Sequence, residues 1–142
     1  MNITKKLLLP VCLLFVIFIR IPAHASEDAE RKALVSSNAW LEMVDKSRYA
    51  ESRENAAELF RTAVSKEQWK QTLTSVRKPL GRVISRKPRS TQYTMTLPGA
   101  PDGEYVVIQY ETTFENKKSA IETITPMLDK DGTWRVTGYY IR

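Results

Sequence analysis

Cysteine and histidine occur once each in this 142-residue chain, as Cys12 and His24, and both fall within the first 25 residues. If that stretch is removed, no thiol and no imidazole remain. A Cys- or Ser-His nucleophilic centre is then excluded in its usual form, and so is a zinc site of the Cys/His type. Disulfides are excluded as well, so the fold must be held by its core. Long apolar runs are scarce. The one present, Leu7–Ile19, is shorter than the roughly 20 residues that span a bilayer. Lys5 and Lys6 precede this run and Arg20 ends it. Pro22 and Ala23-His24-Ala25 then supply a small-residue cleavage pattern, which is the layout of a secretory signal peptide. Cys12 follows Val11 rather than a small residue, so it reads as an apolar member of the export helix rather than a lipidation site. The expected organisation is a signal peptide over 1–25 and one α+β domain over 26–142, periplasmic or secreted. Membrane contact is expected only through the export signal. Cleavage would remove three basic residues and no acidic one, lowering the formal +6 of the full chain to +3.

After Ala25 the chain divides into a helical half and a strand half. Ala33, Leu34, Ser37, Trp40, Leu41 and Val44 recur at helical spacing and predict a helix over Glu27–Asp45. Lys46-Ser47-Arg48 is a break. A second helix is expected over Ala50–Ala63, with Ala56, Leu59, Phe60 and Ala63 as its stripe. Ser65 and Gln68 form a capping box. The third helix then carries Trp69, Leu73, Val76 and Leu80 before Pro79 and Gly81 end it.

Val83-Ile84-Ser85 begins a strand that Lys87-Pro88-Arg89-Ser90 is expected to interrupt, because proline cannot donate to a central ladder. It resumes over Thr91–Leu97. Pro98–Gly103 is a loop dense in turn formers. Gly103–Phe114 has the strongest period-2 pattern. Val106, Ile108, Tyr110, Thr112 and Phe114 share one face, and Tyr105, Val107, Gln109, Glu111 and Thr113 the other. Asn116-Lys117-Lys118 turns the chain into a strand over Ala120–Leu128, where Pro126 predicts an edge or a bulge. Asp129–Gly132 is a hairpin turn, and Trp134–Ile141 is the last strand, in which Gly138 predicts a bend or a close backbone approach. Helices followed by antiparallel strands give an α+β class.

Several stretches carry a resemblance. They are Trp40-Leu41-x-x-Val44-Asp45 with Tyr49, Val64-Ser65-x-x-Gln68-Trp69 and Arg77-x-Pro79-Leu80-Gly81. Ser85-Arg86-Lys87, Leu97–Tyr105, and Glu122-Thr123 through Gly132-x-Trp134-Arg135-Val136-x-Gly138-Tyr139-Tyr140 complete the set. On these the chain resembles a bacterial exported family known as domain of unknown function 4019. Its element order is similar to the cone-like fold of nuclear transport factor 2 and ketosteroid isomerase. The resemblance implies three N-terminal helices on a curved antiparallel sheet of about four strands, and export. It implies no catalytic residues. One departure is that Lys46-Ser47 lacks the glycine expected at that turn.

A cone of this kind encloses a pocket that can host acid/base chemistry. The carboxylates to consider are Asp45, Glu111 and Glu122, with Tyr93, Tyr110 and Tyr139 as phenol donors. Glu111 shares the face opposite Val106 and Ile108, the expected solvent side. Glu122 alternates with Ala120 and Ile124, so Glu122 with Tyr110 is the catalytic candidate. The competing reading pairs Glu122 with a nearby arginine such as Arg135. Trp40, Trp69, Tyr93 and Tyr110 are the candidates for a ligand pocket, against a plain role as core anchors. Asp129, Asp131 and Gly132 lack the remaining positions of a calcium loop and read as a turn.

Arg77, Lys78, Arg82, Arg86, Lys87 and Arg89 place six positive charges in thirteen residues. They form a candidate anion-binding surface, against a merely solvated basic loop. Without interleaved aromatics the run does not suit nucleic acid. The leading expectation is a non-enzymatic module for a small apolar ligand or an envelope partner protein, without cofactor or metal. The alternatives are an isomerase- or dehydratase-like acid/base enzyme, and an assembly component of the envelope. The outer sheet face is compatible with a homodimer.

Overall fold

A computed structural model describes residues 23–142. The apolar run Leu7–Ile19 and its basic flank lie outside the described residues. The chain folds as α1 (Ala23–Asp45), α2 (Tyr49–Glu54), α3 (Glu58–Ala63) and α4 (Lys66–Arg77), followed by a 3₁₀ turn, Lys78–Leu80. Four strands come next: β1 (Val83–Thr94), β2 (Tyr105–Phe114), β3 (Lys117–Leu128) and β4 (Trp134–Ile141). They pair antiparallel in chain order, β1-β2-β3-β4. Among the described residues no helix is long and apolar enough to cross a membrane.

The class is α+β, with four helices rather than three. The stretch expected as one helix over Ala50–Ala63 is broken at Asn55–Ala57. Ala56 and Ala57 are fully buried there, and the Ala57 N–H donates to the Val136 carbonyl at 2.8 Å. Leaving the helix thus lets the backbone cover the free edge of β4. Arginines satisfy carbonyls left open at this break and at the end of α3. Arg61 donates to the Ala56 carbonyl at 2.7 Å. Arg53 donates to Val64 at 2.6 Å and Arg61 at 2.7 Å.

α1 buries Ala29, Ala33, Ser37, Trp40, Leu41 and Val44. α4 begins with the capping box expected at Ser65 and Gln68. Its buried stripe is Trp69, Leu73 and Arg77, at four-residue steps, whereas Val76 is 40% exposed. Arg77 takes the place expected for Val76 because its charge meets Asp45 and its guanidinium lies 5.0 Å from the centre of the Phe114 ring.

β1 is also longer than expected. Lys87–Ser90 does not interrupt it. The register instead shifts between Pro88 and Ser90, a bulge on an edge strand, where a missing N–H costs no ladder bond. The outward N–H of Tyr93 on this edge donates to Glu30 of α1 at 3.1 Å. In β3, a register shift at Thr125/Pro126 lets an interior strand carry Pro126. Gly138 pairs with Thr125 across this shift. Val106, Ile108, Tyr110, Thr112 and Phe114 are all buried beneath the helices, and Glu111 is exposed on the other face. Tyr105 is the exception on that second face: the Pro98–Gly103 loop folds over it, and its hydroxyl donates to the Pro101 carbonyl at 2.6 Å.

Candidate functional site

Three arginine–carboxylate contacts lie where α1, α4, β1 and β3 converge. Register accounts for the assembly. Tyr110 pairs with Pro88 on one side and Glu122 on the other, and Thr112 pairs with Arg86 and Ala120. Arg86, Thr112 and Glu122 therefore share the helix-facing side of three adjacent strands. Asp45 at the end of α1 and Arg77 at the end of α4 close over them.

Glu122 has no solvent exposure. Arg86 donates to it twice, through Nε at 2.6 Å and Nη2 at 3.1 Å. The Thr112 hydroxyl donates to Oε2 at 2.5 Å, and the Tyr139 hydroxyl donates to Oε1 at 2.5 Å. Arg86 also donates to both oxygens of Asp45, at 2.7 and 3.0 Å. Arg77 donates to Asp45 Oδ1 at 2.9 Å. The order Arg77–Asp45–Arg86–Glu122 alternates in sign, and each carboxylate meets at least one guanidinium. Such pairing is the condition under which burial of these charges is tolerated.

Burial pushes the Tyr139 hydroxyl well above its ordinary pKa, and the adjacent Glu122 charge adds to the shift. Tyr139 therefore stays protonated and acts as a donor. Burial likewise pushes Tyr110 up to about 12, with Arg86 opposing and Glu122 reinforcing the shift. The Tyr110 hydroxyl donates to Asn38 of α1 at 2.8 Å, so the structure does not join it to Glu122 by a hydrogen bond. Neither phenol is set up as a base at neutral pH. Tyr93 is apart from this cluster, donating to Glu104 at 2.6 Å.

Burial would raise the Asp45 carboxyl, but hydrogen bonds and charge from Arg86 and then Arg77 outweigh it and hold Asp45 below the ordinary value. A depressed carboxyl contributes stability above its unfolded pKa of about 3.9 and loses it as pH falls through the lower folded value. Urea midpoints measured from about pH 5 down to pH 2 should therefore drop less steeply in Asp45→Asn than in the native chain. Parallel slopes would contradict the pairing.

Trp40 and Trp69, candidates for a ligand pocket, are buried. Trp40 and Trp69 lie 5.9 Å apart, Trp40 meets Tyr139 edge-on at 5.3 Å, and Phe60 meets Trp69 edge-on at 4.9 Å. Both indole N–H groups are satisfied by Ser52: Trp40 donates to its carbonyl at 2.7 Å and Trp69 to its hydroxyl at 3.0 Å. The volume expected to hold a ligand is filled by this cluster. Arg135, expected beside Glu122, points to the other side of the sheet. It binds Asp129 at 3.1 Å and Asp131 at 2.8 Å, bracing the β3–β4 turn. The six-cation run is divided in the same way. Arg77 and Arg86 turn inward, while Lys78, Arg82, Lys87 and Arg89 stay exposed. Among the described residues no cluster of acids, His or Cys could hold a metal.

Open space is found at the surface. A recess of about 490 Å³ runs between α3 and the Leu97–Ala100 loop, lined by Phe60, Ala63, Val64, Leu97 and Tyr105 and floored by Gly138. A neighbouring recess of about 430 Å³ shares Leu59 and adds Pro101, Met127 and Leu128. A third cleft, of about 420 Å³ and lined by charged residues, opens beside Asp45 and Arg77. Thr112 is the member of the buried network that sequence reasoning missed. Its signal was the one aliphatic hydroxyl in the stripe Val106, Ile108, Tyr110, Thr112 and Phe114.

Residues 36–139 match the family model described as "Protein of unknown function (DUF4019)". No curated protein and no solved structure matches the chain.

Proposed function

The chain belongs to the DUF4019 family, whose description assigns no activity, and we propose that it is an exported, non-enzymatic binding module that engages a partner protein of the cell envelope through the apolar groove beside α3. The observation that carries this reading is the state of Glu122. The carboxylate best placed for chemistry has no exposure, and both of its oxygens are taken by Arg86, Thr112 and Tyr139. A general base must reach a substrate proton, directly or through one water. Glu122 could do so only if its arginine withdrew.

The filled tryptophan cluster argues against a small apolar ligand in the interior and favours recognition at the surface. The groove has the character such recognition needs, with apolar walls and polar residues around them. Its wall α3 is a short helix set off by the break at Asn55–Ala57. The four-stranded antiparallel sheet beneath α1, with a register shift in each strand pair, supports the cone-like fold of the nuclear transport factor 2 type as the finer reading. On that reading a homodimer would use the outer sheet face, where Tyr140 is exposed.

The test is photocrosslinking in the native cell, with benzoylphenylalanine at Leu59 and, as a control, at Thr72 on the exposed side of α4. The expected result is a discrete adduct with a second polypeptide from Leu59 and none from Thr72. No adduct from Leu59, or equal adducts from both positions, would overturn the reading.

A further inference from the structure

The charge-lined cleft beside Asp45 is built differently from the groove and stands independently of it. Its walls are the end of α1 with the turn after it, the end of α4, and the start of the strand half. The lining includes Ser47, Tyr49, Thr74, Arg77, Lys78 and Arg82. Its volume lies within the range of small-molecule sites, about 300–1,000 Å³.

Three cations meet here, and the two acids present are already engaged. Asp45 binds Arg77 and Arg86. Glu115 accepts from the Arg82 backbone N–H at 3.3 Å and from its guanidinium at 3.4 Å. Arg77 is 6% exposed, and its Nε has no hydrogen-bond partner among the described residues. A buried guanidinium donor left in this state is uncommon and costly. The cleft's rim also holds Ser47 at φ 57°, the one non-glycine residue in the left-handed region among those described. That conformation closes α1 as a left-handed C-cap, with the Ser47 N–H donating to the Val44 carbonyl at 3.0 Å and the Arg48 N–H to the Met43 carbonyl at 2.8 Å.

Glu115 indicates the ligand's chemistry. Its carboxylate is packed against Gly81, where an added Cβ would come within 2.8 Å of Oε2. An oxyanion of this chain thus already occupies the Arg82 donors at the mouth of the cleft. We propose that this cleft is a binding site for a phosphate group, held by Lys78 and Arg82 at the mouth, with the buried Arg77 charge in the wall adding to the attraction, in competition with the Glu115 carboxylate. Hydroxyls of Ser47 and Tyr49 line the same space and can donate to the remaining phosphate oxygens, whereas the Thr74 hydroxyl already donates to the Lys70 carbonyl at 2.7 Å. A free phosphate compound and a phospholipid headgroup share this chemistry.

Titration calorimetry of the mature chain with inorganic phosphate tests the site, and co-sedimentation with phosphatidylglycerol against phosphatidylcholine vesicles identifies the source. Saturable phosphate binding is expected. It should weaken about tenfold or more in Lys78→Ala/Arg82→Ala, which removes two charge-assisted contacts. It should tighten in Glu115→Gln, where the competing charge is gone. These side chains are exposed, so the variants fold. If anionic vesicles bind with the same variant order and inorganic phosphate also binds, the site is a headgroup site. If phosphate alone binds, it serves a soluble ligand. No saturable phosphate binding, or affinities that do not move in these two opposite directions, would overturn the proposal.

Discussion

Replacing Arg86 with methionine should destabilise the protein by about 3–5 kcal/mol, because it leaves the Glu122 carboxylate buried without its counter-charge. Arg86 supplies two of the four hydrogen bonds that Glu122 receives, and Thr112 and Tyr139 supply only neutral donors. Asp45 is less affected, since Arg77 still holds it and its side chain retains 27% exposure. The size of the loss reports the cost of a stranded charge rather than the net worth of the pair. A second variant separates the two. In Arg86→Met/Glu122→Met both charges are gone and the volume is roughly kept, so stability should return to within about 1–2 kcal/mol of the native chain. Urea denaturation of the two single variants and the double variant measures this cycle. If the double variant were as unstable as Arg86→Met, the ion pair would itself be a net stabiliser, and the network would have to be reinterpreted.

Trp40→Ala should cost a similar amount, about 3–5 kcal/mol, by a different mechanism. Trp40 is 2% exposed and touches three elements at once. It stands on α1, donates to the Ser52 carbonyl in α2, and presents its ring to Trp69 of α4 and Tyr139 of β4. Truncation opens a cavity at the junction of the helical layer with the sheet. Trp40→Phe fills most of that cavity but strands the Ser52 carbonyl, so its smaller loss isolates the hydrogen bond, about 1 kcal/mol or somewhat more. Thermal unfolding of both variants checks the order. Were Trp40→Ala nearly neutral, the indole would line an open pocket rather than fill a core, and an interior ligand site would become the better reading.

The parts of this architecture that could be read from the sequence were those set by a repeated local rule. Alternation in Val106–Phe114 identified β2 and its buried face, and Ser65 with Gln68 marked the start of α4. Pro126 announced an irregularity, and the register does shift beside it, with the extra residue, Thr137, on β4. The parts that escaped depend on contacts far along the chain. The break at Asn55–Ala57 exists because Ala57 bonds β4, some eighty residues later. The Arg77-for-Val76 exchange depends on Asp45 and Phe114, and β1 tolerates Pro88 because it lies at an edge, a fact of strand order.

The candidate site divided on the same lines. Glu122 was recognisable as an acid on an apolar face. Its partner was not, because Arg86 and Arg135 are both arginines on strands, and register alone sends one inward and the other to the Asp129–Asp131 turn. The basic run looked uniform along the sequence. Side-chain direction turned Arg77 and Arg86 into core residues and left Lys78 and Arg82 at the mouth of a cleft.

The buried ionic centre is a closed, internally paired network rather than a site of chemistry, and recognition occurs at the surface. Native mass spectrometry tests it most directly, on the native chain and on folded Arg86→Met/Glu122→Met, each extracted gently from the cell. The same partner polypeptide is expected on both, with no small molecule that depends on the buried pair. A small molecule retained by the native chain and lost from the folded double variant would put a substrate against Glu122 and make the buried centre a site of chemistry.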